Sequence, residues 1–399
     1  MSDKLALERR YGATNYDPLP IVLARGEGVW LYDDEGRRYL DMLSAYSAVS
    51  FGYGDPKLVK VLAEQAQRLA ITSRAFHSER LGPFLARLCE LTGMDRALPM
   101  TTGAEGVETA IKCARKWAYV SKKVPRDTAE IIVCDGNFHG RTSTIVGFSS
   151  EPQYREDFGP YSAGFRLVDF GDIEQLRAAL SSNTAAFLVE PIQAEAGIIL
   201  PPDGYLAAAR ALCRERNVLF VLDEIQTGLG RTGKLFAHEH EPGAMPDLLI
   251  LGKALGGGVY PVSAVLASRA IMTLLKPGDH GSTFGGNPLA SAVGAAALDV
   301  LVEERLTERA AELGAHLRAA LATLRSDKIV EIRGRGLLIG IEIAVEAGTA
   351  RKYCERLLER GVLAKDTHAQ VIRLAPPLVI ERAELDWLVT QLRDVLLSY

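Results

Sequence analysis

Short apolar runs recur through the middle of the chain: EIIVCDG (130–136), AAFLVEPI (185–192), NVLFVLDE (217–224) and DLLILGKA (247–254). Helical patterns separate several of them. Continuous apolar runs of this length suit parallel strands that helices cover on both faces. Polar and charged residues gather where the runs end. In an open α/β sheet that is the ligand edge. The pattern predicts an α/β fold with a mostly parallel central sheet.

Before this series, TTGAEGVETAIKCARKWAYV carries Val107, Ile111, Ala114 and Ala118 on one helical stripe. Glu105 and Glu108 lie near its start, where the helix dipole favours acid. Thr101, Thr102 and Gly103 offer amides and hydroxyls to an anion, although an ordinary capped helix explains them equally well. GVWLYDDEGRRYLDML (28–43) predicts a hairpin with Gly36 at its turn. Beyond GSTFGGNPLAS (281–291) the pattern is helical to about residue 325. KIVEIRGRGLLIGIEI (328–343) then has period-2 apolar stretches. VIRLAPPLVI (371–380) reads as a strand that its prolines interrupt or displace to an edge, and ELDWLVTQLRDVLL as an amphipathic helix. The flanking segments suggest a smaller domain built from both chain ends around the large one.

Composition narrows the function classes. The 399 residues are 48% hydrophobic and 24% charged, with a formal charge of −4. No basic tract points to nucleic acid or anionic lipid. The cysteines Cys89, Cys113, Cys134, Cys213 and Cys354 form no C-x-x-C pair, and their odd number argues against a disulfide scaffold. A metal cluster has no support either. The start, MSDKLALERRYG, lacks a signal-peptide core, and no apolar run reaches about 18 residues. The expectation is a soluble cytoplasmic protein.

The chemistry centres on LDEIQTGLGRTG (222–233) and ILGKALGGG (250–258). A carboxylate at one strand end and a lysine after the next suit pyridoxal phosphate. That cofactor needs an amine for its aldehyde and a carboxylate that keeps its ring nitrogen protonated. Asp223 and Lys253 supply these groups. Taken alone, the spacing also fits an incidental acid and an incidental lysine.

The remaining motifs settle the comparison. TNYDPLP, LSAYSAV, TTGAEGVETAIKCARKW, DGNFHGRT, VEPIQAEAG, LDEIQTGLGRTG, LGKALGGGVYPVSAV, HGSTFGGNPLA and VIRLAPPLV together resemble the class III, fold-type I aminotransferases over nearly the whole chain. Within them, the resemblance points most closely to members that act on ornithine. It implies an N-terminal segment (1–48) that contributes to the small domain and active site. It also implies a large cofactor-binding domain (49–290) and a C-terminal small domain (291–399). Lys253 would carry the cofactor and shuttle the proton. Asp223 would pair with the ring nitrogen, Gln226 would meet the phenolic oxygen, and Phe138 would stack on the ring. Gly103 and Ala104 would bind the phosphate, joined by Thr283, with Ser282 assisting, from a second subunit. A homodimer, or a higher oligomer built on it, would be the competent unit.

The same resemblance implies two substrates in one pocket, L-ornithine and 2-oxoglutarate. Arg373 would bind the α-carboxylate of the oxo acid in bidentate fashion. Glu195 would cover Arg373 while ornithine is bound. Arg141 would take the distal carboxylate of 2-oxoglutarate. Tyr16 would contact the α-carboxylate of ornithine, and Tyr46 would line the same space. The products would be glutamate 5-semialdehyde and glutamate.

The chain departs from the family pattern in places. SFGYGDP stands where a histidine-containing NQGHxHP stretch is expected. Ala194 replaces a glycine beside Glu195, and His77 and Ser78 replace Tyr-Asn-like residues. Rival readings are an acetylornithine or other ω-amino acid aminotransferase and an aminomutase of the same fold. An NAD(P) oxidoreductase lacks its G-x-G-x-x-G, and a non-catalytic binding protein would have little use for this constellation.

Overall fold

The computed structural model describes residues 3–397. A seven-stranded sheet forms its centre, in the spatial order Arg96–Met100, Ser263–Ala267, Leu248–Leu251, Leu219–Asp223, Thr184–Val189, Glu130–Cys134, Phe165–Val168. Only Ser263–Ala267 runs antiparallel to its neighbours. The five strands from Leu248–Leu251 to Phe165–Val168 pair in parallel, as the apolar runs predict. Every residue of Thr184–Val189, Leu219–Asp223 and Leu248–Leu251 is buried, which accounts for their unbroken apolar character. Parallel pairing also brings Glu190, Asp223 and Lys253 to one edge, because each stands at or just beyond the carboxyl end of its strand.

The hairpin over 28–43 forms from Trp30–Asp33 and Arg38–Asp41, with Leu23–Glu27 added on one side. Asp33 holds its turn by accepting hydrogen bonds from the amides of Glu35 and Arg37 at 3.1 and 2.8 Å. Gly36 supplies the positive φ of 86° that the turn requires. On the other side, Leu40 and Asp41 pair in parallel with Val362 and Leu363. The chain ends therefore share one small sheet.

A third sheet contains Ile329–Arg335, Leu338–Ile343, Val371–Leu374 and Lys365–Thr367. Here the expectation for VIRLAPPLVI needs correction. Val371–Leu374 lies inside the sheet, hydrogen-bonded on both sides, and not at an edge. Pro376 and Pro377 follow the strand and do not interrupt it. A proline has no N–H to give the ladder, so the strand stops before them. The flanking amides find other partners: Ala375 N–H donates to Met42 and Leu378 N–H to Ser50, each at 2.7 Å. These bonds fix the strand carrying Arg373 against the segment carrying Tyr46.

Candidate active site

The helix Gly103–Trp117 starts with a capping box. Glu105 Oε2 accepts from the amides of Thr101 and Thr102 at 2.9 and 2.7 Å, and the Thr102 hydroxyl accepts from Glu105 N–H. The amides of Thr101 and Thr102 are thus occupied, contrary to the expectation that they face an anion. Gly103 and Ala104 keep free N–H groups at the positive end of the dipole. Both line a cavity of about 160 Å³ that also holds Phe138, Asp223, Gln226 and Lys253.

Asp223 ends its strand in the floor of this cavity. Its Oδ1 accepts from Ile225 N–H at 3.1 Å, and its Oδ2 lies 2.7 Å from His139 Nδ1. Burial alone would discourage a charged His139, but the hydrogen bond and charge of Asp223 prevail and raise its pKa. His139 Nε2 is buried without a partner. Glu190 accepts from Phe138 N–H at 3.0 Å, and burial pushes its carboxyl up to about 8. Sequence reasoning gave no role to His139 or Glu190. Glu190 had the same signal as Asp223, an acid at a buried strand end. His139 had only its place beside Phe138.

Lys253 opens a short 3-10 turn with φ 43°, an unusual conformation for a side-chain-bearing residue. Its amine has no hydrogen bond or ion pair among the described residues. Burial lowers its pKa, and the opposing charges of Glu195 and Asp223 do not cancel that effect. A neutral amine is therefore accessible below the ordinary lysine range. Gln226 Oε1 is a second buried atom without a partner. Free helix amides, a carboxylate-backed floor, unpartnered Gln226 Oε1 and His139 Nε2, and a depressed lysine fit a phosphorylated, aldehyde-bearing heteroaromatic ring.

A larger cleft of about 1250 Å³ collects Tyr16, Tyr46, Arg141, Glu195 and Arg373. Glu195 joins it to the small cavity. Its Oε1 accepts from Arg373 Nη1 at 2.5 Å and from Gln226 Nε2 at 3.2 Å. Burial would raise the Glu195 pKa, but the Arg373 charge outweighs it and the carboxyl sits low. Arg373 lies over the Tyr46 ring at 4.8 Å. Arg141 lies over the Tyr154 ring at 4.1 Å. Tyr16 is 76% exposed at the rim.

Tyr46 belongs to a run of left-handed residues, Ser44–Ser47, with φ of 45, 48, 59 and 72°. Such a run is strained for L-residues. A buried network supports it. Asp41 accepts from the amides of Leu43 and Ser44, and Ser44 Oγ donates to Ala375 O at 2.6 Å. Arg231, from GLGRTG, is fully buried. It donates to Leu337 O and Pro376 O at 3.0 and 2.6 Å and reaches the hydroxyls of Ser44 and Ser50. Burial lowers its pKa to about 9. Two of the departures also find structural roles. Tyr53 of SFGYGDP donates to Asp41 at 2.7 Å. Ala194 packs with Ile192, Ile198, Leu338 and Ala375 beneath Glu195.

Ser282 and Thr283 are not brought to this cavity. Ser282 Oγ accepts from Gly285 N–H within its own loop, and Thr283 is exposed. The other proposed site residues converge on the two cavities.

Comparison with known proteins gives this geometry a context. The family model for class III aminotransferases matches residues 11–396. An ornithine aminotransferase of Bacillus subtilis is 55% identical, over 97% of this chain and 95% of its own. The solved ornithine aminotransferase of Toxoplasma gondii ME49 superposes with a TM-score of 0.97 at 44% identity, covering 99% of this chain and 94% of that one. An acetylornithine aminotransferase from Elizabethkingia anophelis gives 0.90 at 48% identity, covering 99% and 98%. With a family match over almost its full length, the chain belongs to the class III aminotransferases.

Proposed function

We propose that this enzyme transfers the δ-amino group of L-ornithine to 2-oxoglutarate with pyridoxal 5′-phosphate as cofactor, giving glutamate 5-semialdehyde and glutamate. The observation that carries the substrate reading is the Glu195–Arg373 pair at 2.5 Å. An arginine bound to Glu195 does not attract the α-carboxylate of ornithine, so the δ-amine can enter first. An oxo acid must displace Glu195 to reach the same guanidinium. The relatives named ornithine aminotransferase support this reading.

When bound, the cofactor supplies an electron sink that makes a proton beside the reacting nitrogen acidic. Gly103 and Ala104 amides would hold its phosphate, Asp223 its ring nitrogen, Gln226 its phenolic oxygen, and Phe138 would cover one ring face. His139 keeps Asp223 oriented. Lys253, whose neutral form burial favours, takes a proton from the δ-carbon of ornithine. Arg141 receives the distal carboxylate of 2-oxoglutarate, and Tyr16 the α-carboxylate of ornithine, beside Tyr46. Thr283, assisted by Ser282, would complete the phosphate site of a second copy, which makes a homodimer the working unit.

The test compares L-ornithine with N-acetyl-L-ornithine as amino donors to 2-oxoglutarate. A kcat/KM favouring ornithine, with trapped glutamate 5-semialdehyde, supports the reading. A preference for the acetylated donor replaces it with the acetylornithine reaction.

A further inference from the structure

The charges lining the large cleft are nearly all matched. Glu195 is paired with Arg373. Asp17 and Asp366 are engaged by Arg351 and Lys365. Asp41 is buried and accepts from Tyr53 and two amides. Among the described Asp, Glu, Lys and Arg residues of the lining, Arg141 and Glu151 have no ion partner and, unlike Asp41, are not buried in a hydrogen-bond network.

These two flank one structural unit. Glu151 caps the short helix Pro152–Arg155, where its carboxylate accepts a long 3.4 Å bond from Gln153 N–H. Tyr154 follows on that helix. Its ring carries Arg141 on one face and meets Phe138 edge-on at 5.9 Å between centroids. Phe138 in turn lines the cofactor cavity. A free cation and a free anion are therefore held on a common support, at the end of the cleft next to Phe138. Their local contacts, a long cap bond for Glu151 and ring stacking for Arg141, leave both charges without an opposite charge, and Arg141 is exposed and Glu151 half-buried in the cleft wall.

We infer that Glu151 receives the α-ammonium group of the amino donor and sets the preference for free ornithine over its N-acylated form. The inference rests on the proposed δ-transamination. Ornithine presents a carboxylate and an ammonium on its α-carbon. N-acetylornithine keeps the carboxylate but has lost the positive charge. 2-Oxoglutarate has no ammonium at all. Glu151 is thus attractive to one donor, indifferent to the other, and mildly repulsive to the acceptor.

The experiment is Glu151→Gln, with Glu151→Ala beside it, assayed with all these substrates. Glutamine keeps the side-chain oxygen that caps Gln153, so the helix start is preserved. We expect ornithine kcat/KM to fall about tenfold in both variants, through KM more than kcat, as for loss of a charge-assisted hydrogen bond. N-acetylornithine should change less than about twofold, and the KM for 2-oxoglutarate should stay or fall. An equal loss for ornithine and N-acetylornithine would mark a structural role and overturn the inference, as would unchanged ornithine kinetics. If the wild-type enzyme fails to use ornithine at all, the proposed function falls first, and that result is separate from the behaviour of the variants.

Discussion

Replacing Glu195 with alanine tests the gate between the two substrates. Arg373 Nη1 lies 2.5 Å from Glu195 Oε1, and the arginine side chain is only 2% exposed. Its Nε is buried without a partner. In the wild type, a glutamate donor must break this contact before its α-carboxylate can bind Arg373. A hydrogen bond between charged groups contributes about 1.5–3 kcal/mol. The variant removes that barrier, so the preference for ornithine over glutamate in the first half-reaction should shrink by about 10- to 100-fold. The pH sign is set by the carboxyl. Its folded pKa lies below the ordinary range because Arg373 outweighs burial. The pair is therefore intact above the ordinary carboxylate pKa and is lost as pH falls through the lowered value. At neutral pH the gate should be closed, and the comparison belongs there. Rapid mixing of wild type and variant with each donor, followed by the visible absorbance of the cofactor, reads the preference directly. An unchanged ratio of the rates would refute the gating argument.

Other perturbations separate the parts of the site. Lys253→Ala should abolish nearly all turnover while leaving the melting temperature close to wild type; substantial turnover would remove Lys253 from the proton transfer. Because burial lowers the Lys253 pKa, covalent rebinding of cofactor to apoenzyme should rise with pH at a midpoint below that of free lysine. A midpoint at the free value would contradict the depressed amine. His139→Phe deprives Asp223 of its 2.7 Å partner and should lower kcat about tenfold, with faster cofactor loss on dialysis; wild-type behaviour in both would free Asp223 from dependence on His139. Arg231→Ala strands the carbonyls of Leu337 and Pro376 and should cost about 2–4 kcal/mol in denaturant unfolding, whereas a loss within experimental scatter would deny the network its support of the Tyr46 turn.

The central sheet was legible because its strands are buried on both faces, and burial writes itself as uninterrupted apolar runs. The same logic located Asp223 and Lys253 at the ligand edge. Glu190 had an equivalent signal, but nothing in the sequence reveals that its carboxylate takes the Phe138 amide. The Ser44–Ser47 turn was not legible. Left-handed conformations usually announce themselves through glycine, and here none of these residues is glycine. Contacts from Asp41, Arg231 and Ala375, distant in sequence, hold the turn, so only the assembled fold discloses it. The prolines after Arg373 misled for a related reason: they signal the end of a ladder, but not whether the strand before them is internal. The Thr102 cap was visible as a helix start, yet Glu105 consumes two of the amides that the sequence offered to an anion.

The central claim is that the δ-nitrogen, and not the α-nitrogen, leaves ornithine. The direct measurement supplies ornithine labelled with ¹⁵N at either position, together with 2-oxoglutarate, and follows the label into glutamate by mass spectrometry. The Glu195-covered Arg373 predicts that label from the δ-position appears in glutamate, while label from the α-position remains in the cyclised semialdehyde. Glutamate labelled from the α-position would contradict the account.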